Sequence, residues 1–265
     1  MCNVPISIPM KILVAIKQVP ARDSQLKLDA QARWIDTADL TYEINEPDAY
    51  ALEAAMQLKE KYGGEVVALC AGPESAAISI REALAKGADR AIHIVEENLG
   101  AFDTLSLARL LAEAAKQEAP DLVLTGLQSD DLGSGQTGVI IAELMGVPHA
   151  TIIMSVEVDG SALRVKRELE DGWFQFVTLP LPALLTIQSG INKLRYATLM
   201  GIKKSKTKEV KQLTASALGV APEAQVVLER VALPQKSKQT VLLDGSPAEQ
   251  AAKLVEKLKF EVRAL

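Results

Sequence analysis

The residues best suited to chemistry lie in a glycine-rich loop between a short apolar run and a stretch of helical spacing. The run covers residues 122–125 and the helical stretch residues 136–144. The loop between them carries Gly126, Ser129, Asp130, Asp131, Gly133, Ser134 and Gly135. Unpaired N–H groups at the start of such a helix, together with the helix dipole, bind phosphate. The alternative is an ordinary strand-to-helix loop capped by Ser134, because the spacing is neither a Walker loop nor a dinucleotide fingerprint.

The adjacent carboxylates of Asp130 and Asp131 are the second candidate for chemistry. A carboxylate pair can serve acid–base catalysis or bind a metal, but no His or Lys motif accompanies this pair. We therefore interpret the two residues as capping the loop or holding a ribose. The sequence contains no GxSxG, HExxH or CxxC motif. The other candidate ligands are isolated from one another: Cys2, Cys70, His93 and His149. We expect a nucleotide-holding protein with no metal site and no catalytic residues of its own.

Composition and charge narrow the class of protein. The 265 residues are 48% apolar and 4% aromatic, so the core must be built mainly of Val, Ile, Leu and Ala. The formal charge of −5 argues against general nucleic-acid binding, which requires a basic surface. The apolar runs are far shorter than the roughly 18 residues of a membrane span, and no secretory signal is visible. We therefore expect a cytoplasmic protein without membrane insertion.

Strand-like and helix-like stretches alternate through the first half of the chain. Strands are predicted over residues 11–17, 65–70, 91–95 and 122–125, and helices over residues 47–62, 74–86, 102–117 and 136–144. This alternation predicts βαβ units and a mainly parallel, doubly wound α/β sheet. Ligands of such sheets lie beyond the carboxyl ends of the strands. The loops over residues 17–23, 71–74 and 126–135 should therefore converge on one site.

After Pro148 the pattern becomes that of antiparallel strands. The runs over residues 151–158 and 163–169 flank Asp159-Gly160, which is a hairpin signal. Residues 174–179 and 183–188 are predicted as two further strands, so an antiparallel portion should extend or flank the parallel sheet. A loop over residues 191–201, a weakly patterned stretch over 212–240 and a helix over 248–259 follow. A terminal helix more commonly packs on its own domain than on another chain.

Three apolar residues, Leu199, Met200 and Ile202, lie in a segment expected to be an exposed loop. A basic run follows them and comprises Lys203, Lys204, Lys206, Lys208 and Lys211. The basic run is either a solvated surface stretch or a docking surface for acidic partners. The apolar side chains either anchor in a partner's pocket or fold inward. The residue types alone leave both alternatives open.

Four stretches together resemble the β subunit of electron transfer flavoprotein. They are KILVAIKQVP, INEPDAYALEAA, GLQSDDLGSGQTG and VKRELEDG…LPALLTIQSGINKLRYATL, and the likeness runs from about Met10 to the C-terminus. The resemblance implies an α/β fold like that of the adenine-nucleotide α-hydrolase-like proteins. It also implies a heterodimer whose α subunit holds most of an FAD, while the β subunit buries an AMP with a structural role.

The resemblance places the AMP where the loops converge. The matching positions are Ala15, Asn45, Glu46, Pro47, Asp48, Ala71, Gly126, Leu127, Gln128, Ser129, Asp130, Asp131, Leu132, Gly133, Ser134, Gly135, Gln136 and Thr137. The phosphate is expected on the helix that starts near Gln136-Thr137, with the Thr137 hydroxyl and backbone amides as donors. Buried amides that neutralise the phosphate would lock the loop.

Two departures from the family pattern keep alternatives open. Gly135 stands where the usual β subunit has an Asn, and the usual acidic triplet is reduced to Asp130 and Asp131. Bifurcating members of the family hold a second FAD in the β subunit and tend to lack the Gln-Thr-Gly form of this loop. Gln136-Thr137-Gly138 therefore favours AMP. The alternatives are a bifurcating-type β subunit with its own FAD and a stand-alone adenine-nucleotide sensor.

The resemblance also implies partners. The family's recognition loop matches residues 197–204, with Leu199 as the anchor for a dehydrogenase of the acyl-CoA or another type, and Met200, Ile202, Lys203 and Lys204 beside it. Arg195 and Tyr196 would support that loop. Electrons would leave to a quinone reductase or a similar acceptor.

The resemblance also implies three domains. They are an N-terminal extension (1–9), a nucleotide-binding domain (10–232) and an arm (233–265) that wraps the α subunit.

Overall fold

The computed structural model describes residues 9–234 and 240–263. The N-terminal extension predicted over residues 1–9 lies outside the described residues except for Pro9, and so does a part of the predicted arm. The chain divides into two compact units, Met1–Glu229 and Arg230–Leu265. Each unit is described by itself.

The first unit alternates strands and helices, as the sequence predicts. Its strands are β1 (Met10–Ala15), β2 (Gln18–Pro20), β3 (Tyr42–Ile44), β4 (Gly64–Gly72), β5 (Arg90–Val95), β6 (Leu122–Gly126), β7 (His149–Asp159), β8 (Ala162–Glu168), β9 (Phe174–Pro180), β10 (Ala183–Ile187) and β11 (Val210–Leu213). Its helices are α1 (Glu46–Tyr62), α2 (Ala77–Lys86), α3 (Thr104–Glu118), α4 (Thr137–Met145) and α5 (Leu199–Ser205).

A nine-stranded sheet in the order β11-β5-β4-β1-β6-β10-β7-β8-β9 runs through the described part of this unit. Neighbouring strands from β11 to β7 are parallel, and the β7-β8-β9 edge is antiparallel. On the central strand β1, Ile12 pairs with Val66 of β4 and with Leu122 of β6. The predicted fold class, a mainly parallel α/β sheet with an antiparallel extension, is confirmed.

In the nine-stranded sheet, one predicted strand lies in a different place and one strand was not predicted. Residues 183–188, expected near the antiparallel portion, form β10, which lies between β6 and β7 and is parallel to both. All of its residues are buried, because helices and loops cover both faces of the parallel sheet. The edge strand β11 was not predicted, and its residues are only partly buried or exposed. Its hydrophobic pattern is therefore weak.

The core consists of two apolar layers, one on each face of the sheet. Successive residues of β1 alternate between them, so that Ile12 and Val14 pack with α1 and α2 whereas Leu13 packs with α3 and α4. The buried side chains are mostly Val, Ile, Leu and Ala, as the composition predicts. Because both faces are covered, the central strands consist of continuous apolar runs.

The second unit contains one helix, α6 (Pro247–Lys257), followed by a π-helical turn, Leu258–Val262. Ser246 caps α6, and Glu249 completes the capping box. The predicted apolar face of this helix is half exposed, at 49% for Leu254 and 53% for Val255. In neither described stretch of the chain is there a helix both long and apolar enough to cross a membrane.

Candidate functional site

A cavity of about 200 Å³ opens at the carboxyl ends of β1, β4 and β6. Its walls are the loops that the sequence predicts to converge, together with the first turn of α4. The cavity is lined by twelve of the predicted nucleotide-binding residues: Asn45, Asp48, Ala71, Gly126, Leu127, Gln128, Ser129, Leu132, Ser134, Gly135, Gln136 and Thr137. The structure therefore brings together residues that are far apart in the chain at the edge where parallel sheets bind ligands.

The floor of the cavity is organised by the buried carboxylate of Asp48. Its Oδ2 accepts a hydrogen bond from Lys17 N at 2.8 Å, and its Oδ1 accepts one from Gly126 N at 2.9 Å. Asp48 thereby joins the chain after β1, the end of β6 and the start of α1. Burial raises the pKa of Asp48 to about 7, although both backbone hydrogen bonds favour the ionised form.

Position 126 requires a glycine, because its backbone packs closely on the start of α1. A Cβ at this position would lie 2.6 Å from Pro47 Cβ and 2.8 Å from Asp48 N, and it would also overlap Asp48 Oδ1. Only glycine allows the end of β6 to approach this helix so closely. Pro47 does not line the cavity but fixes the wall behind it, in the first turn of α1.

The glycine-rich loop is tied to the start of α1 by polar side chains. Asn45 donates through Nδ2 to Gln128 O at 3.0 Å and accepts from Asp130 N at 2.8 Å. In return, Glu46 N donates to Asp130 Oδ2 at 3.2 Å. The Asp130 side chain therefore braces the loop, which agrees with the first of the two interpretations, that the pair caps the loop rather than holds a ribose.

The other carboxylate of the pair, Asp131, binds Lys17. The Lys17 Nζ lies 2.6 Å from Asp131 Oδ1 and 3.4 Å from Ser129 Oγ. Burial opposes ionisation of Asp131, but the Lys17 ammonium and hydrogen bonds from Ser129 and Leu132 hold its pKa below the usual value. Lys17 was not among the residues assigned to the nucleotide, although it begins the loop over residues 17–23 that the sequence predicts to converge on the site.

The start of α4 forms the side of the cavity suited to an anion. Gln136 is the N-cap residue, and no side-chain hydrogen bond caps this helix, so the alternative in which Ser134 caps it is wrong. The first N–H groups of a helix have no partner within the helix, and the dipole makes this end partly positive. Thr137 is the first residue of α4 and places its side chain at the same end.

The small residue Gly138 brings this helix start close to the sheet. A Cβ there would lie 2.6 Å from Thr125 Oγ1 on β6 and 2.7 Å from Thr186 Cγ2 on β10. All three residues of the Gln-Thr-Gly sequence thus line the cavity, and its glycine also allows α4 to pack directly on the strands.

An apolar wall that the sequence did not predict completes the cavity. It is formed by Leu99, Phe102, Leu107 and Leu111, with Asp103 and Thr104 at the start of α3. Asp103 is the N-cap of that helix and accepts from Ser106 N at 2.8 Å. Its hydrogen bonds from Ser106 and Gln225 lower its pKa to about 2. A cavity lined by an apolar wall and by a helix start suits a ligand with an aromatic base and an anionic group.

The remaining predicted nucleotide-binding residues lie behind the walls. Ala15 is in β1, whereas the next residue, Ile16, lines the cavity. The residues that do not line the cavity are Ala15, Glu46, Pro47, Asp130, Asp131 and Gly133. Three of them contact a lining residue: Pro47 packs against Gly126, Asp130 binds Asn45, and Asp131 binds Lys17.

The apolar residues predicted in a docking loop instead lie on a short helix, α5. The expectation of a loop is wrong here, because Thr198 caps the segment by accepting from Gly201 N and a helical turn follows. The expectation of exposure is confirmed: Leu199 is 88% exposed, Met200 64% and Ile202 45%. Lys203 and Lys204 lie on the same helix and are also exposed.

Helix α5 is fixed on α2. A Cβ on Gly201 would overlap Ala85 O, so the two backbones are in contact. Arg81 Nη1 donates to Ser205 O at 2.6 Å, and Lys208 Nζ donates to Leu84 O at 2.9 Å, at the end of α2. The basic run is therefore not a uniform surface stretch, because Lys208 has a structural role.

The segment that leads to α5 is held by Arg195. Its guanidinium donates from Nε to Glu53 Oε2 and from Nη1 to Glu60 Oε1, each at 2.6 Å, on α1. The hydrogen bonds to Glu53 and Glu60 raise the pKa of Arg195. Its predicted supporting role is consistent with these contacts, whereas Tyr196 is 91% exposed.

Comparison with known proteins gives one consistent result. A family model described as Electron transfer flavoprotein domain matches residues 33–218. The electron transfer flavoprotein subunit beta of Methylophilus methylotrophus is 37% identical over 258 residues, which are 93% of this chain and 97% of that protein. The proteins of the same name from Bacillus subtilis and Bradyrhizobium diazoefficiens are each 36% identical and cover 97% of this chain and 100% of their own length.

Proposed function

The chain belongs to the electron transfer flavoprotein family, and on that basis we propose that it is the β subunit of a heterodimeric electron carrier. In this role it has no catalytic residues of its own. It assembles with an α subunit, binds a structural AMP and docks the dehydrogenase that donates electrons. The observation that carries the proposal is the extent of the likeness to β subunits, which covers 97% of this chain in two relatives.

The cavity at the sheet edge fits AMP. The uncapped start of α4 and the Thr137 hydroxyl provide donors for a phosphate, and the wall formed by Leu99, Phe102, Leu107 and Leu111 provides an apolar surface for a base. Asn45 and Asp48 hold the two sides of the cavity together through backbone hydrogen bonds. A nucleotide bound across these walls would stabilise the loop, α1 and α4 as one unit.

We propose that FAD is held mainly by the α subunit, where it supplies the redox chemistry of the complex. The contribution of this chain is to position its partners. The arm that starts near residue 233 is proposed to wrap the α subunit, which would cover the half-exposed apolar face of α6, including Leu254 and Val255. This proposal replaces the expectation that the terminal helix packs on its own domain.

Docking of the dehydrogenase is assigned to α5. An exposed leucine on a helix held by α2 is a suitable anchor, because little conformational freedom is lost when it enters a pocket. Lys203 and Lys204 next to Leu199 would attract an acidic partner and accelerate its association. An acyl-CoA-type or another dehydrogenase is the proposed donor, and a quinone reductase or similar protein the acceptor.

A reconstitution tests this role. The chain is co-purified with its α partner, reduced dehydrogenase is added, and reduction of the flavin is followed by its absorbance. We expect rapid reduction when both subunits are present and slow reduction of the α subunit alone. Equal rates with and without this chain would reject the proposed docking role.

A further inference from the structure

Lys17 occupies an unusual position in the cavity wall. In the part of the chain that the structure describes, it is the only lysine or arginine among the lining residues, which also include the carboxylates of Asp48 and Asp103. A nucleoside monophosphate carries up to two negative charges, so its phosphate needs positive charge nearby. The helix start supplies the equivalent of about half a charge. Among the lining residues, Lys17 can supply a full positive charge.

The two carboxylates of the wall cannot help to neutralise a phosphate. Asp48 accepts hydrogen bonds from Lys17 N and Gly126 N, and Asp103 accepts them from Ser106 N and Gln225 N. Where ionised, these groups repel an anion. Their presence increases the need for a cation that reaches the cavity.

The backbone of Lys17 is fixed, so the root of its side chain is preorganised. Lys17 N donates to Asp48 Oδ2 at 2.8 Å, and Lys17 O accepts from Asn45 N at 2.9 Å. The ammonium group has three N–H donors, and its two partners here are Asp131 Oδ1 at 2.6 Å and Ser129 Oγ at 3.4 Å. Two partners leave one of the three donors, and the side chain belongs to a residue that lines the cavity and remains 31% exposed.

We propose that Lys17 binds the phosphate of the nucleotide and that Asp131 is the counter-ion that holds the ammonium in place. This inference rests on the proposed function, because it presumes that the cavity holds AMP. It adds to the site a residue from the end of β1, outside the glycine-rich loop. Loss of a charge-assisted hydrogen bond of this kind lowers ligand affinity by roughly 10- to 100-fold.

A purely structural role makes a different prediction. If Lys17 and Asp131 only brace the loop, replacing either one weakens every ligand of the cavity in the same proportion. If Lys17 binds the phosphate, its replacement weakens AMP but not adenosine. Removal of the Asp131 charge then has the opposite effect, because it removes a repulsion and frees the ammonium. The ratio of AMP affinity to adenosine affinity therefore separates the two roles and cancels general effects on the loop.

The experiment is calorimetric titration of the nucleotide-depleted α/β complex with AMP and with adenosine. Lys17→Gln should lower the affinity ratio at least tenfold, Lys17→Arg should keep it within about threefold of wild type, and Asp131→Asn should raise it. A ratio unchanged in both Lys17→Gln and Asp131→Asn would overturn the inference. Wild-type complex that does not bind AMP would instead reject the proposed nucleotide site, which is a distinct outcome.

Discussion

Replacement of Gly126 by alanine is the most direct test of how the cavity floor is built. The added Cβ would lie 2.6 Å from Pro47 Cβ and 2.8 Å from Asp48 N. Both atoms belong to rigid groups at the start of α1, so no side-chain rotation relieves the overlap. Since carbon atoms pack best at about 3.5–4.0 Å, α1 must move by about 1 Å.

Two contributions determine the expected loss of folding free energy in Gly126→Ala. Overpacking of this kind destabilises by about 1–3 kcal/mol. The movement also weakens the hydrogen bond of 2.9 Å from Gly126 N to Asp48 Oδ1, and such a bond contributes about 0.5–1.5 kcal/mol when the carboxyl is neutral and about 1.5–3 kcal/mol when it is ionised. A total near 3 kcal/mol lowers the melting temperature of a domain of this size by roughly 6–12 °C. AMP retention should fall as well, because the floor of the cavity moves.

The assay is thermal unfolding of the α/β complex, with AMP content measured on the same samples. Gly100→Ala is the matched control, since the nearest atom to its added Cβ is Asn98 Oδ1 at 3.8 Å, an ordinary contact. We expect a large loss for Gly126→Ala and little change for the control. Equal melting temperatures and equal AMP content in the two variants would show that close packing at Gly126 does not hold the cavity floor.

Three further predictions concern the docking helix, the anion donor and the buried carboxylate. Leu199→Ala should slow electron transfer from the dehydrogenase in stopped-flow measurements, whereas Leu26→Ala, another exposed leucine, should not; equal rates would exclude the anchor role. Thr137→Val should weaken AMP binding by about 1–3 kcal/mol in titrations, and unchanged AMP retention would remove Thr137 from the site. Because burial raises the pKa of Asp48 to about 7, its contribution to stability is complete below about pH 4 and is lost as the pH rises through 7. From pH 4 to 8 the free energy of unfolding of wild type should fall, relative to Asp48→Asn, by on the order of 4 kcal/mol in denaturant titrations; parallel pH profiles would contradict this.

The parts of the fold that the sequence predicts are those with a strong local pattern. The bounds predicted for β6 from its apolar run and for α4 from its helical spacing are both correct to within a residue or two. The strand β11 and the helix α5 were missed, because both are short and are held by distant contacts. Arg81, for example, binds Ser205 O across 124 positions in the chain. No local pattern records such a contact.

In the candidate site, too, some residues were identified from the sequence and others only from the structure. The glycine-rich loop was visible from its residues, and positions such as Asn45 and Asp48 came from the resemblance. The apolar wall around Phe102 and the ion pair between Lys17 and Asp131, 114 positions apart, appear only when the sheet edge is assembled. The placement of Phe102 could have been anticipated from the rule that places ligands beyond the carboxyl ends of parallel strands, because α3 follows β5 at that edge.

The nucleotide content of the purified α/β complex shows whether this chain is a β subunit with a structural AMP. The complex is denatured, and the released nucleotides are separated and quantified per heterodimer. We predict one FAD and one AMP, the content of a simple electron carrier with a structural nucleotide in this chain. Two FAD and no AMP would contradict the structural role of AMP and reassign the cavity to a second flavin. A homodimer of this chain that releases adenine nucleotide without flavin would contradict the electron-carrier function itself.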